Sequence, residues 1–354
     1  MKDLKKTIIL GFALFAMFFG AGNVFLPSYI GIKIGNNLLI SIIGFLLTAV
    51  GLPLLGLLVV IKNKGEYMKV FAPLGSKIAN IFLFISFMLI GPILAMPRLA
   101  STSYEMGILP IFPNANRLVV TALFFLIALI LSINKSRVVE RIGEYLTPLL
   151  ILTLVILIFV GIISVKGDNE TVTVARPFIF SFIEGYNTLD AIASVIFAKM
   201  IYDTVKNEEN PMKISIRASL IAAICLAFVY SGLIYLGNRI VVESGKHLSR
   251  TTLILEITKK LLGIYGIYIL TIIVLLACIT TAIGLISSVS NYLAGRFSYK
   301  ILAIVITAIA FIISQLEVDS IIALSAPILS IFYPVLIFLL FFSLLKRKWM
   351  NKYG

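Results

Sequence analysis

Long apolar stretches, separated by short charged or Pro/Gly-rich breaks, fill almost the whole chain. Ten of them run approximately over 7–31, 36–61, 78–100, 118–133, 146–165, 178–202, 215–237, 263–293, 301–316 and 320–344. An α-helix needs about twenty apolar residues to cross the hydrocarbon core of a bilayer, and most of these stretches meet that length. The fourth and ninth are short, while the second and third are long enough to tilt. The pattern predicts an all-α integral membrane protein of about ten transmembrane helices. It forms a single domain over residues 1–354, with no linker long enough to detach a soluble part.

Composition sharpens this picture. Hydrophobic residues make up 60% of the chain and charged ones 13%, with mean hydropathy +1.09. A soluble domain keeps about a quarter of its residues charged, so a cytosolic or secreted protein is excluded. The net charge of +14 would suit a nucleic-acid partner, but the basic residues sit in short loops between apolar segments, as they do beside a lipid bilayer. Counted on alternate sides of ten spans, 20 of the 30 Lys and Arg residues fall on the side of the N-terminus. The excess of basic residues in inner loops then predicts that both termini are cytoplasmic. The basic start, Met1 to Lys6, leads into an apolar run longer than a signal-peptide core, so this run is expected to stay as the first span. Cys225 and Cys278 lie within apolar runs and His247 lies in a polar loop, which gives no disulfide framework, metal centre or histidine catalyst. The longest outer connection, 237–262, has apolar positions 253, 254, 257 and 261 at helical spacing. It reads either as a surface helix or as a lid over an outer vestibule.

The candidate chemistry lies where helices should fail. Gly20, Ala21, Gly22, Asn23 and Pro27 fall near the middle of the first stretch. Glycine and proline weaken a helix, and backbone groups released inside a membrane need partners, so a break there implies a protein-lined cavity or a ligand. Close packing of small residues is the other reading. The sixth stretch carries Glu184, Gly185, Tyr186, Asn187, Thr188 and Asp190. Carboxylates at that depth mark ion or substrate pathways, or else bond helix ends. Two breaks five helices apart, crossing in opposite directions, predict an inverted repeat of about 5–165 and 176–344. In the eighth stretch, Thr280 and Thr281 offer hard oxygen ligands suited to Na⁺, or bond back to their own helix. Arg98, near Tyr104 and Glu105 at the end of the third stretch, either snorkels to the interface or serves an outer gate or a substrate carboxylate.

Taken together, these segments resemble the bacterial branched-chain amino acid:cation symporters. The matching residues are Phe18-Phe19-Gly20-Ala21-Gly22-Asn23 with Pro27, Gly51-Leu52-Pro53, and Gly91-Pro92 with Pro97-Arg98. Further matches are Ser103-Tyr104-Glu105, Glu184-Gly185-Tyr186 with Thr188 and Asp190, and the run Ala277 to Leu285. The resemblance implies the LeuT fold, five plus five inverted helices with the first and sixth broken. It implies a Na⁺ site made by the carbonyls of Ala16, Phe19 and Ala277 and the hydroxyls of Thr280 and Thr281. The amino acid's carboxylate and amine would meet the backbone around Ala21-Gly22 and Gly185-Tyr186, with Asn23 holding the first break open or binding an ion. Members of this family commonly have about twelve spans, so the ten expected here lack the last two.

The expected function is therefore secondary active uptake of leucine, isoleucine or valine across a bacterial cell membrane, in symport with Na⁺ and with no other cofactor. A proton coupled through Glu184 or Asp190 is the alternative ion. An enzyme would have only those two carboxylates to work with, six residues apart on different helix faces. An amino-acid sensor or a channel is the remaining class. Nothing in the sequence marks an oligomeric state.

Overall fold

The computed structural model describes residues 2–133, 138–164, 174–239, 249–294 and 297–353. His247 and the loop residues Lys135, Arg137 and Arg296 lie outside them. Among the described residues the structure is helical and contains no β-strand. The helices are α1 (Lys2–Phe18), α2 (Ala21–Lys33), α3 (Leu38–Lys62), α4 (Tyr67–Phe71), α5 (Ser76–Ile108), α6 (Arg117–Ser132) and α7 (Ile142–Ser164). The second half contains α8 (Pro177–Tyr186), α9 (Asp190–Val205), α10 (Pro211–Asn238), α11 (Arg250–Leu262), α12 (Ile264–Leu293), α13 (Tyr299–Ile313) and α14 (Val318–Tyr353).

All ten expected stretches are occupied by helix. Among the described residues, α3, α5, α7, α10, α12 and Val318–Leu345 of α14 are each long and apolar enough to cross a membrane, and α1 with α2 adds a seventh. That pair bends by 69°. The sixth stretch is divided between α8 and α9, and the two short stretches are the short apolar helices α6 and α13. The third runs on to Ile108 rather than stopping near 100, because Arg98 and Glu105 find partners inside the protein. α5 is itself kinked: Gly91 leaves helical geometry (φ −82°, ψ −117°) ahead of Pro92, which has no N–H to continue the ladder. Widened π-helical turns at Leu89–Ile93 and Ser103–Ile108 flank the segment that carries Arg98.

One group of helices packs through small residues. α1 and α2 lie on α10, while α3 lies on α8 and α9. Gly31 meets the Ile234 carbonyl and the Asn238 backbone, Gly237 meets Ser28, Gly56 meets Ser194, and Gly185 meets Thr48. Lipid supplies no hydrophobic force between helices, so such close backbone approach holds a bundle together. The Asn238 side chain adds hydrogen bonds to the Gly31 and Gly35 carbonyls, at 3.3 and 2.7 Å. A second group is built on α12, which packs against α5, α6, α7 and α13. A Cβ at Gly31 would overlap the Ile234 carbonyl, so Gly31→Ala is expected to destabilise the protein by about 1–3 kcal/mol. At Gly51 the nearest atom to a Cβ lies 3.6 Å away, and Gly51→Ala should be neutral or slightly stabilising. Thermal unfolding in detergent compares the two; equal shifts would contradict close packing at Gly31.

Within the connection 237–262, the described residues from Arg250 to Leu262 form a helix, α11. Ser249 caps it by accepting from the Thr252 N–H at 3.1 Å, and Leu253, Ile254 and Ile257 are buried, as their spacing predicts. It packs against α12, α2, α7 and the end of α5.

Candidate functional site

The break between α1 and α2 starts with lost backbone bonds. Gly20 is extended (φ −99°, ψ −158°), and its N–H turns to the Phe18 carbonyl at 2.7 Å instead of reaching Ala16. The Ala16 carbonyl is thereby released from the helix ladder. It accepts from the Thr280 and Thr281 hydroxyls, at 2.9 and 3.1 Å. Each hydroxyl shares its one proton with the Ala277 carbonyl at 3.0 Å, one turn back in the same helix. Four of the five residues expected at a Na⁺ site are thus brought together as oxygens, a donor set that suits a hard cation. The fifth, Phe19, is placed by its ring, which stacks on Phe15 and Tyr230.

Asn23 repairs the other side of the break. Its amide nitrogen donates to the Phe18 carbonyl at 2.8 Å and to Asp190 Oδ2 at 2.6 Å, and it also bonds the Tyr230 hydroxyl. Tyr230 in turn donates to Asp190 Oδ2 at 3.2 Å. All three side chains are buried, and the network ties α2 to the first residue of α9 and to α10. Sequence reading missed Tyr230. The available signal was a phenol inside an apolar helix, since a buried Tyr hydroxyl usually finds a partner.

The second break is held by side chains from elsewhere in the fold. α8 ends at Tyr186, Leu189 takes left-handed geometry (φ 69°, ψ 4°) and α9 begins at Asp190. A non-glycine residue there costs about 1–3 kcal/mol and needs support from its surroundings. Arg98 supplies part of that support, donating to the Asn187 carbonyl at 2.6 Å and to the Thr188 carbonyl at 3.2 Å. A cation at a helix C-terminus also meets the negative end of the dipole. The snorkelling reading of Arg98 is corrected here: it is only 4% exposed and lies between the two breaks. A Cβ on Gly22 would come within 3.1 Å of its guanidinium.

A cavity of about 30 Å³ lies between the breaks, with Gly20, Ala21, Asn23, Arg98, Thr188, Asp190 and Thr281 among its lining residues. That is room for little more than water. Five residues expected to bind substrate stand outside the lining: Gly22, which lies against the Arg98 guanidinium, and Glu184, Gly185, Tyr186 and Asn187. Glu184 accepts from Asn187 Nδ2 at 2.8 Å and pairs with Arg250 at 3.2 Å. Gly185 packs on Thr48, and Tyr186 stacks on Tyr333 with ring centroids 4.5 Å apart. The unwound turn at 187–189, rather than the faces of one continuous helix, sends Glu184 and Asp190 to separate partners.

Nor does the expected trio of Arg98, Tyr104 and Glu105 form one cluster. Glu105 pairs instead with Arg117 at 3.0 Å and accepts from Thr251 of α11 at 3.3 Å and from the Val318 N–H at 3.1 Å. Tyr104 donates to the Ala115 carbonyl at 3.1 Å, with the Arg117 guanidinium over its ring. These contacts, with Glu184–Arg250, interlock the ends of α5, α6, α8, α11 and α14 on the face opposite the N-terminus. On the N-terminal face lies a far larger cavity, about 1010 Å³, lined by Lys6, Tyr67, Lys199, Asp203, Ser288 and Asn291 among others. The ring pair Phe18–Phe197, centroids 5.3 Å apart, belongs to the wall of the small cavity.

Comparison with solved structures agrees with this architecture. The crystal structure of MhsT in complex with L-phenylalanine matches with a TM-score of 0.64 at 18% identity, covering 94% of this chain and 87% of that one. Mhp1, a nucleobase-cation-symport-1 family transporter with bromovinylhydantoin bound, matches with a TM-score of 0.62 at 15% identity, covering 92% and 76%. At such identities the likeness shows the fold alone, and the fold is the LeuT type expected from the sequence. Closer relatives are named as branched-chain amino acid carrier proteins. One from Staphylococcus epidermidis is 39% identical over 369 residues, covering 97% of this chain and 83% of the relative. One from Staphylococcus saprophyticus is 40% identical over 368 residues, covering 97% and 82%. The model of the family described as "Branched-chain amino acid transport protein" matches residues 3–353. With a family match over nearly its full length and relatives this close, the chain is a multi-pass membrane protein that belongs to the branched-chain amino acid transport proteins.

Proposed function

We propose that the protein takes up leucine, isoleucine or valine by symport with Na⁺. The observation that carries this reading is the meeting of two helix breaks at a small cavity beside the oxygens of Ala16, Ala277, Thr280 and Thr281. Half-helix ends at such a break present an N-terminus to anionic groups and carbonyls to cations. The α2 N-terminus at Ala21-Gly22 would receive the carboxylate, while Asp190 and the Thr188 region would receive the amine. Family membership supports the substrate class, and the donor set supports the ion.

With the N-terminal face in the cytoplasm, the large cavity is an inner vestibule and the interlocked face is the closed outer side. Alternating access would then rock α1–α3 and α8–α10 against the group around α12, breaking Arg98–Asn187 as the outer side opens. One charge moving inward through 100 mV contributes about 2.3 kcal/mol to accumulation.

A second reading has its own support: Asp190 is a buried carboxylate at the second break, held by Asn23 and Tyr230, where a proton could ride in place of Na⁺. Radiolabelled leucine uptake into proteoliposomes separates the two. Accumulation driven by an imposed Na⁺ gradient at equal pH is the expected result. Accumulation driven only by an imposed pH gradient would move the coupling to a proton. No gradient-driven accumulation of leucine, isoleucine or valine would sink the transport reading.

A further inference from the structure

Arg98 is buried in a place where its structural duties leave it incompletely satisfied. Its two terminal nitrogens donate to the Asn187 and Thr188 carbonyls, but its Nε has no hydrogen-bond partner. A guanidinium offers five N–H donors, and leaving one buried and unpaired costs free energy unless a ligand uses it. The side chain is 4% exposed, and the space it borders is the cavity between the two breaks.

Two further features make this spot attractive to an anion. The guanidinium lies against Gly22, in the first turn of the thirteen-residue helix α2, whose N-cap residue Gly20 has no side chain with which to cap it. The first N–H groups of a helix lack intrahelical acceptors and carry the positive end of its dipole. A fixed cation and an uncapped helix N-terminus therefore converge on one side of the cavity. The Asp190 carboxylate, a lining residue of the same cavity, is tied up on Oδ2 by Asn23 and Tyr230. The lining thus offers a guanidinium for the carboxylate and a carboxyl group for the amine of a zwitterion.

We propose that Arg98 is the side chain that recognises the α-carboxylate of the transported amino acid, and that this carboxylate competes with the Asn187 and Thr188 carbonyls for the guanidinium. This deepens the transport reading and rests on it. Arg98 belongs to α5, whereas the two carbonyls belong to the α8–α9 break. Handing the guanidinium to a carboxylate removes a tie between the two helix groups and widens a cavity that is otherwise too small for an amino acid. Binding and the loosening of the bundle are then one event. The planar fork of Arg suits both the paired carbonyls and a carboxylate, and a Lys would serve neither as well.

The test is competition against radiolabelled leucine on purified full-length protein in detergent. The competitors are leucine and leucinol, which keeps the side chain and the amine but lacks the carboxylate. Wild type is expected to favour leucine by roughly 100-fold or more, as a site built around a substrate's polar group does. In Arg98→Gln the preference should fall below roughly 10-fold, through loss of leucine affinity with leucinol little changed. If Arg98→Gln is not monodisperse, Arg98→Lys is read instead, and an intermediate preference is expected. A wild-type preference retained in either variant overturns the assignment of Arg98 alone. Wild-type protein that binds no leucine, isoleucine or valine overturns the transport reading and the assignment with it.

Discussion

Changing Thr280 and Thr281 together to alanine is expected to raise the Na⁺ concentration needed for half-maximal leucine uptake by at least about 100-fold, in a carrier that still folds. The two hydroxyls are half of the four-oxygen cluster, and both are hydrogen-bonded to the carbonyls of Ala16 and Ala277. A contact to a charged group contributes about 1.5–3 kcal/mol, so losing two weakens cation binding by roughly two to four orders of magnitude. Folding should suffer far less, because removing a hydroxyl donor leaves carbonyls that are under-satisfied rather than a buried donor without an acceptor. Single alanine variants should lie about 10- to 100-fold above wild type, and Thr280→Ser should stay close to it. The measurement is a Na⁺ titration of initial uptake rates in proteoliposomes. An unchanged half-saturation in the double variant would place the coupling ion elsewhere and make Asp190 the next position to examine.

How far the sequence leads to this cluster follows from what each residue type reveals by itself. The apolar stretches are legible because the bilayer imposes their length, and the first break because Gly20, Gly22, Asn23 and Pro27 have no reason to cluster inside a straight apolar helix. The threonine pair is legible as two adjacent hydroxyls inside an apolar stretch. What joins it to Ala16 is not, because the link arises when the Gly20 N–H abandons that carbonyl, a backbone event with no side-chain signature. Arg98 follows Pro97 near the end of an apolar stretch, where an interfacial arginine would also stand. Only the kink at Gly91 and the continuation of α5 to Ile108 turn it inward. Glu184 and Asp190 look equivalent in sequence. The left-handed turn at Leu189 separates them, sending one to Arg250 on the closed face and the other to Asn23 at the centre. Tyr230 and Arg250 stayed hidden because the partner of each lies far away in sequence.

Asn23→Leu should be the most damaging single change among the centre's side chains, and Asp190→Asn in the same chain should recover part of the loss. The two N–H groups of the Asn23 amide lie within reach of the Phe18 carbonyl, Asp190 and Tyr230, at a position 1% exposed. Leucine has nearly the same size but no donor. It takes from the buried carboxylate its 2.6 Å amide donor and leaves it the Tyr230 hydroxyl at 3.2 Å and the Thr188 side chain, a loss of about 3 kcal/mol. Converting Asp190 to the amide removes the charge that has lost its donor. The double variant should therefore be more stable than the sum of the single effects predicts, by about 1–3 kcal/mol. Unfolding midpoints of the four proteins in one detergent give that coupling, and strictly additive effects would show that the network does not act as a unit. Transport should not recover with stability. The amide at 190 no longer supplies the carboxyl group of the cavity, so the rescued protein should fold, insert and still fail to accumulate leucine. That split would separate the role of the Asn23–Asp190 bond in joining the two broken helices from the role of the Asp190 charge in holding what passes between them.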